Sequence, residues 1–448
     1  MEAPVVSERP SPNRVDAARI VARVPGITPA ESEVLRRLLD DPGAHGFALP
    51  PDDPLSDAER DLLARVKQAP LDPAPSLHRQ VYVILKATRL CNLRCGYCHS
   101  WKSGPGQVMS FEVLADTIRR YQSTPGIEDV DYVWHGGETL LLSPDYFEKA
   151  IWLQNLFRRP GQRIANGLQT NGTLITDDWA RFFAKYRFKV GVSIDGTREI
   201  HDGVRLDKKG RGTFAKVEAG LARLREHGVT YGILTVVDER MASLPIEPML
   251  RELKTLGAAG VSLLNSIPDN GEGTERAVER GLFAFPRYVE YLRKVFAIWR
   301  RQPEAYPAIR EISALIEVLG GGRAGVCTLS GNCMGQFLTI EPSGTVSACD
   351  KYLGVEDYTF AAKGASPFAA DRLAHARHRQ ADDDRRMAEC RHFHLCKGGC
   401  PHDNRMQRIF DADWSGGCCG LSGLIDDIAQ WLATDAGQRL TSTRERFA

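Results

Sequence analysis

From residue 80 onward the sequence alternates short apolar runs with helical patterns, and this alternation restricts the fold more than any other feature. "QVYVILKAT", "VDYVWHGGE", "NGLQTNG", "FKVGVSIDG", "TYGILTVVD" and "GVSLLNS" read as six strands. Between them lie "SFEVLADTIRRY" with Ser110 as cap, "SPDYFEKAIWLQNLF" opening with Ser143 and Pro144, and helices beginning near Asp177, Thr213 and Pro245. Strands joined through helices pair in parallel with right-handed crossovers. The spacing therefore predicts an α/β chain, either an open doubly wound sheet or an incomplete (β/α) barrel.

Both architectures bind ligands at the carboxyl ends of their strands. There the sequence places Cys91–Cys98, Gly136-Gly137-Glu138, "QTNG", "SIDG" and Asn265. Any one of these could be turn chemistry. Five on one rim predict one shared site.

The eleven cysteines fall into two groups, Cys91, Cys95 and Cys98, then Cys327, Cys333, Cys349, Cys390, Cys396, Cys400, Cys418 and Cys419. Clustering of this kind points to metal in a reducing compartment, with disulfides as the alternative. The first trio has C-x-x-x-C-x-x-C spacing, which can hold three corners of an iron–sulfur cluster and leave one iron open. A zinc site would need a fourth ligand, for which the adjacent His99 is poorly placed.

Composition excludes other classes. Formal net charge is +1, so no global field favours nucleic acid or an anionic membrane. No apolar run nears the roughly 20 residues of a membrane span, and "MEAPVVSERPSPNRV" lacks a signal-peptide pattern. A cytoplasmic protein is expected. Residues 1–78 are proline-rich and predict two short helices, one with Thr28, Pro29 and Glu31 at its start, one with Ser56 and Glu59. After a loop, "YVEYLRKVFAIWRRQ" and "AIREISALIEVLGGG" predict two more helices, and the glycines mark a boundary near residue 320. Residues 320–448, rich in cysteine and turns, predict an irregular domain organised by metal rather than by a large apolar core.

The cysteine loop with Tyr97 before its last cysteine, followed by Gly136-Gly137-Glu138, resembles the radical S-adenosylmethionine enzymes. The resemblance covers roughly residues 80–270. It implies a partial (β/α)6 TIM-type barrel over residues 79–319, linker helices included, between the small helical N-terminal extension and the C-terminal domain. It also implies a 4Fe-4S cluster on Cys91, Cys95 and Cys98 whose open iron chelates S-adenosylmethionine. One electron cleaves that cofactor to a 5′-deoxyadenosyl radical, so an electron donor such as flavodoxin or ferredoxin is implied too. Gly136, Gly137, Glu138, Asn171 and Ser193 match the positions lining the cofactor.

Residues 320–448 resemble the SPASM extension of that superfamily, which carries auxiliary 4Fe-4S clusters. The match implies one cluster on Cys327, Cys333, Cys349 and Cys400 and a second on Cys390, Cys396 and Cys418. Met387 stands where the pattern has a further cysteine. Cys419, Glu389, His392 or His394 could replace it, or the second cluster could keep an open iron or be lost.

Asp350 matches the general base of the anaerobic sulfatase maturases, which "HGGE", "QTNGTL" and "SIDG" also resemble. His135 is expected to face the substrate. "CDKYLG", Met387 and the N-terminal extension look more like SPASM maturases of ribosomally made peptides. The expected activity is therefore oxidative modification of a precursor peptide, foremost a side-chain carbon–carbon cross-link (cyclophane). The alternatives are formylglycine formation on serine or cysteine, epimerisation, thioether formation, or a non-catalytic metal-binding or redox-sensing role.

Overall fold

The computed structural model describes residues 53–71, 76–98, 107–266, 283–323, 325–331, 333–361, 371–411, 413–435 and 437–438. The expected helix at Thr28, the candidate ligand His99 and most of the loop after residue 266 lie outside these residues.

The first element among the described residues is α1 (Asp57–Gln68), where Ser56 and Glu59 close the reciprocal capping box that their spacing predicts. This helix is no free-standing extension. Leu63 and Val66 are buried, Arg119 donates to the Ala69 carbonyl (2.8 Å), and Lys149 bonds Glu59 (2.8 Å).

Six strands follow, β1 (Gln80–Thr88), β2 (Asp129–Gly136), β3 (Arg163–Thr170), β4 (Lys189–Ser193), β5 (Tyr231–Val237) and β6 (Val261–Asn265). The helices between them are α2 (Phe111–Ser123), α3 (Pro144–Leu156), α4 (Asp177–Tyr186), α5 (Arg198–Val204), α6 (Phe214–Glu226), α7 (Glu239–Ala242) and α8 (Ile246–Thr255). All five pairings among the six strands are parallel and join consecutive strands. A doubly wound sheet reverses its order at a switch point. Among these six strands the order does not reverse, so right-handed crossovers place the helices between them on one face and the sheet curls as a partial barrel. Aromatic rings fill the space under the helices, with Phe147 centred 5.1 Å from Trp134 and 5.6 Å from Trp179.

Helices α9 (Phe285–Trp299) and α10 (Arg310–Leu319) lead to β7 (Phe337–Ile340), β8 (Val346–Ser347) and β9 (Thr359–Ala361). β7 pairs in parallel with β1, from Tyr82↔Phe337 to Leu85↔Ile340, so one nine-stranded sheet runs across the expected boundary. Beyond it come α11 (Asp371–Met387), α12 (Phe393–Cys396), α13 (Pro401–Phe410) and α14 (Ser422–Leu432). The last helix buries Leu424, Ile425 and Ile428 and sets Trp431 edge-on to Phe296 (5.6 Å) and Trp299 (6.0 Å). The C-terminal segment thus shares an apolar core with α9, which turn-rich sequence concealed.

Candidate active site

The path of the cysteine loop follows from two glycines. Gly137 N–H donates to the Thr88 carbonyl (2.7 Å) and Glu138 N–H to that of Leu90 (2.8 Å). A Cβ on Gly136 would lie 2.1 Å from the Thr88 oxygen, and one on Gly137 would lie 2.1 Å from the Leu90 oxygen. Gly136 also has φ of 133°, a conformation that side chains rarely adopt. The end of β2 can therefore seat the chain running from β1 into Cys91 only because both positions lack side chains.

Glu138 is 0% exposed. Its carboxylate accepts from Thr170 Oγ1 (2.7 Å), Asn171 N–H (2.7 Å) and Leu140 N–H (3.0 Å). Burial pushes its acid up and these bonds oppose the rise. Its side chain ties β2 to β3. Asn171 donates to Asn92 Oδ1 (2.8 Å), lies 4.0 Å from Cys91 Sγ, and accepts from the Thr173 hydroxyl (2.7 Å). Ser193 accepts from the Gln169 amide (2.8 Å) across β3 and β4.

A buried cluster anchors the other half of the loop. Tyr97 OH donates to Asp195 Oδ2 (2.6 Å), Arg205 Nε donates to the same oxygen (2.8 Å), and Val236 N–H reaches Oδ1 (3.0 Å). Arg94 and Gly96 N–H groups donate to the carbonyls of Leu206 (2.8 Å) and Val204 (3.1 Å). Burial pushes the Cys95 thiol up to about 12, and Arg205 pulls the other way. A cation facing the loop suits a ligand set that must bind as thiolates. Cys91 and Cys98 are half-buried and Cys95 is buried. Three such thiols on one anchored loop fit an iron–sulfur cluster with an open iron.

Beside this loop the two expected catalytic residues meet through a lysine. The β1–β2 register sets Lys86 next to His135. Lys86 Nζ is 3.1 Å from His135 Nδ1 and forms an ion pair with the Asp350 carboxylate. Gly136 N–H also donates to Nδ1 (2.8 Å), so that nitrogen accepts and the ring proton resides on Nε2. Lys86 is only 4% exposed, a rare environment for a lysine without a charged partner. A second ion pair, Arg89–Glu341, also joins the end of β1 to the segment after β7.

The C-terminal cysteines gather into two groups. Cys327, Cys333, Cys349 and Cys400 influence one another's charge, and burial pushes Cys400 up to about 12. In the other group, Cys390 and Cys418 sulfurs are 3.8 Å apart, Cys396 and Cys419 3.6 Å, and Cys418 contacts Cys419. Met387 is buried in the core, Glu389 and His394 are exposed, and His392 bonds Asp426 (2.7 Å). Cys419 alone of the offered substitutes joins the three matched cysteines. A Cβ on Gly399 would lie 2.8 Å from its Cβ, so glycine there permits the approach. Among the described residues no three His, Cys, Asp or Glu side chains are arranged around a single metal ion. The fit to multi-iron clusters rests on thiol chemistry and on the grouping of the sulfurs.

Lys86, Asp195, Arg205 and Lys351 escaped the sequence reading. A lysine inside "VILKAT" was a visible signal for Lys86, and Asp195 lies within "SIDG". Nothing local marks Arg205, whose role depends on a strand end ten residues earlier.

The Radical SAM superfamily model matches residues 85–242. The serine-type anaerobic sulfatase-maturating enzyme of Klebsiella aerogenes is 30% identical over 351 residues, covering 75% of this chain and 84% of that protein. The cysteine-type enzyme of Clostridium perfringens is 29% identical over 337 residues, covering 71% and 88%. The solved structure of native anSMEcpe with bound AdoMet superposes with a TM-score of 0.66 at 25% identity, over 82% of this chain and 99% of that one. Sequence likeness of this extent, over three quarters of the chain, means that it belongs to the radical SAM superfamily, in the family of the anaerobic sulfatase-maturating enzymes.

Proposed function

We propose that this protein oxidises one residue of a peptide or protein substrate at its β-carbon, most directly converting a serine or cysteine to formylglycine. The observation that carries the reading is the Asp350–Lys86–His135 group next to the cysteine loop. S-Adenosylmethionine on a 4Fe-4S cluster held by Cys91, Cys95 and Cys98 supplies, when bound, the radical that removes a substrate hydrogen atom.

The protein's own residues do the rest. Asp350 accepts the proton released as the substrate carbon is oxidised, and Lys86 holds its carboxylate in place. His135, its proton on Nε2, offers a donor to the substrate. Tyr97, Asp195 and Arg205 fix the loop, and Asn171 orders its first turn. Cys327, Cys333, Cys349 and Cys400, and in the second group Cys390, Cys396, Cys418 and Cys419, would hold the C-terminal clusters, which would supply an acceptor for the electron lost with the proton, and a small electron-transfer protein would supply the reducing equivalent.

A second reading, cross-linking of a side chain to a neighbouring β-carbon, draws on "CDKYLG" and on Met387, where the chain leaves the expected cysteine pattern. Serine oxidation and cross-linking both remove two hydrogens, so mass alone does not separate them. Anaerobic incubation of the iron-loaded chain with S-adenosylmethionine, reductant and serine- or cysteine-containing peptides does. A hydrazide-reactive aldehyde supports formylglycine formation. A lighter peptide with no aldehyde and blocked proteolysis at two joined residues supports the cross-link and overturns the first reading.

A further inference from the structure

We propose that the Lys351–Asp403 ion pair sets the reduction potential of the auxiliary cluster held by Cys327, Cys333, Cys349 and Cys400, Lys351 raising it and Asp403 lowering it. The inference rests on the reading of those four cysteines as a cluster site.

Lys351 is the second residue beyond Cys349, and Asp403 lies in the first turn of α13, for which Cys400 is the cap. The ammonium lies 3.8 Å from Cys400 Sγ and 2.8 Å from Asp403 Oδ1. Both residues also give backbone N–H bonds to the sulfurs, Lys351 to Cys349 and Asp403 to Cys400. The side chain of Asp403 is 8% exposed and that of Lys351 one-third exposed at its surface. The same Oδ1 lies 3.8 Å from His402 Nδ1, and that imidazole, whose pKa burial lowers, packs edge-on to Tyr352 (4.9 Å).

The positive end of this pair therefore points at the sulfurs. Hydrogen bonds to sulfur and local net charge are the levers by which a protein tunes such a cluster. A cation at the thiolates stabilises the reduced cluster, which carries one more negative charge. Its potential rises, and it becomes the better acceptor for the one electron leaving the substrate carbon. The carboxylate acts on Cys400 in the opposite sense and limits the rise.

Opposite shifts test the idea. The full-length iron-loaded protein is titrated anaerobically with a reductant, following the paramagnetic reduced cluster, with iron and sulfide content as the loading check. Removing the three loop cysteines by alanine substitution leaves the C-terminal signals to be read. Lys351→Met should move one component to a more negative potential, because it removes the cation and leaves the carboxylate. Asp403→Asn should move the same component to a more positive potential, and Lys351→Arg should leave it near the original value. Shifts of the same sign in Lys351→Met and Asp403→Asn, or no shift in either at full iron content, would overturn the proposal. If Lys351→Met loses its iron, the rise in Asp403→Asn still decides. A wild-type chain that binds no iron at these cysteines sinks the cluster reading itself, a separate outcome.

Discussion

Lys86→Met removes a charge that reaches both Asp350 and His135, while keeping most of the volume on β1. The Lys86 side chain is 5% exposed and that of Asp350 35%. At contact distance and an effective dielectric of about 20, Coulomb's law gives roughly 5 kcal/mol of gross attraction. Desolvating a nearly buried ammonium offsets much of it, and the one-third exposure of Asp350 lets water replace part of the rest. A net coupling of about 1–2 kcal/mol remains, or about a tenfold change in rate. The variant should release 5′-deoxyadenosine at near the normal rate yet make about tenfold less modified peptide per deoxyadenosine. Asp350→Asn should show the larger loss, and the double variant Lys86→Met/Asp350→Asn should be no worse than Asp350→Asn alone, as expected when one residue acts through the other. Both products are quantified by liquid chromatography and mass spectrometry from one anaerobic reaction. Losses that multiply in the double variant, or a collapse of deoxyadenosine itself, would refute the reasoning and move Lys86 to the cofactor.

Three further outcomes follow from the geometry. Gly137→Ala must displace the Leu90 backbone and should cost about 3 kcal/mol, the upper end for overpacking, with loss of iron from the loop; Gly96→Ala, whose Cβ meets nothing within 4 Å, should leave thermal stability and iron content unchanged. His201 accepts from Asp195 N–H (3.5 Å) and faces Thr213 Oγ1 (3.2 Å), and burial lowers it to about 4. Its folded value lies below the unfolded value of about 6.5, so the unfolded chain binds the proton more readily and stability falls between about pH 6.5 and 4, by about 2–3 kcal/mol; His201→Gln should flatten that part of a stability–pH curve. Cys419→Ser should lower bound iron per chain, whereas Glu389→Gln and His394→Gln should not, as read by iron analysis.

Sequence carried much of this account. Six strands with polar ends were legible because apolar runs and caps are local, and the capping box at Ser56 and the cap at Ser110 form as written. The strand pattern alone left an open sheet and a barrel both possible, since the choice depends on strand order, and the resemblance carried by the cysteine loop and Gly136-Gly137-Glu138 pointed to the barrel. Pairing of β7 with β1 was equally hidden, because four residues of "FLTI" carry no mark of their partner. Asp350 and His135 were nominated separately, and their meeting at Lys86 depends on the β1–β2 register and on that same β7 pairing. Glu138 was expected to line the cofactor site. The bonds that its carboxylate accepts from Thr170, Asn171 and Leu140 were not legible, because they depend on how the strand ends are buried together.

The central claim is that the anchored Cys91, Cys95 and Cys98 loop hosts reductive cleavage of S-adenosylmethionine. The direct measurement is 5′-deoxyadenosine formed anaerobically by the iron-loaded full-length protein with S-adenosylmethionine and reductant, beside the variant with all three loop cysteines changed to alanine. The account predicts deoxyadenosine from the wild type, with none above background from the variant while its C-terminal iron is retained. An iron-loaded wild type that forms no deoxyadenosine, or a variant that forms as much, would contradict it.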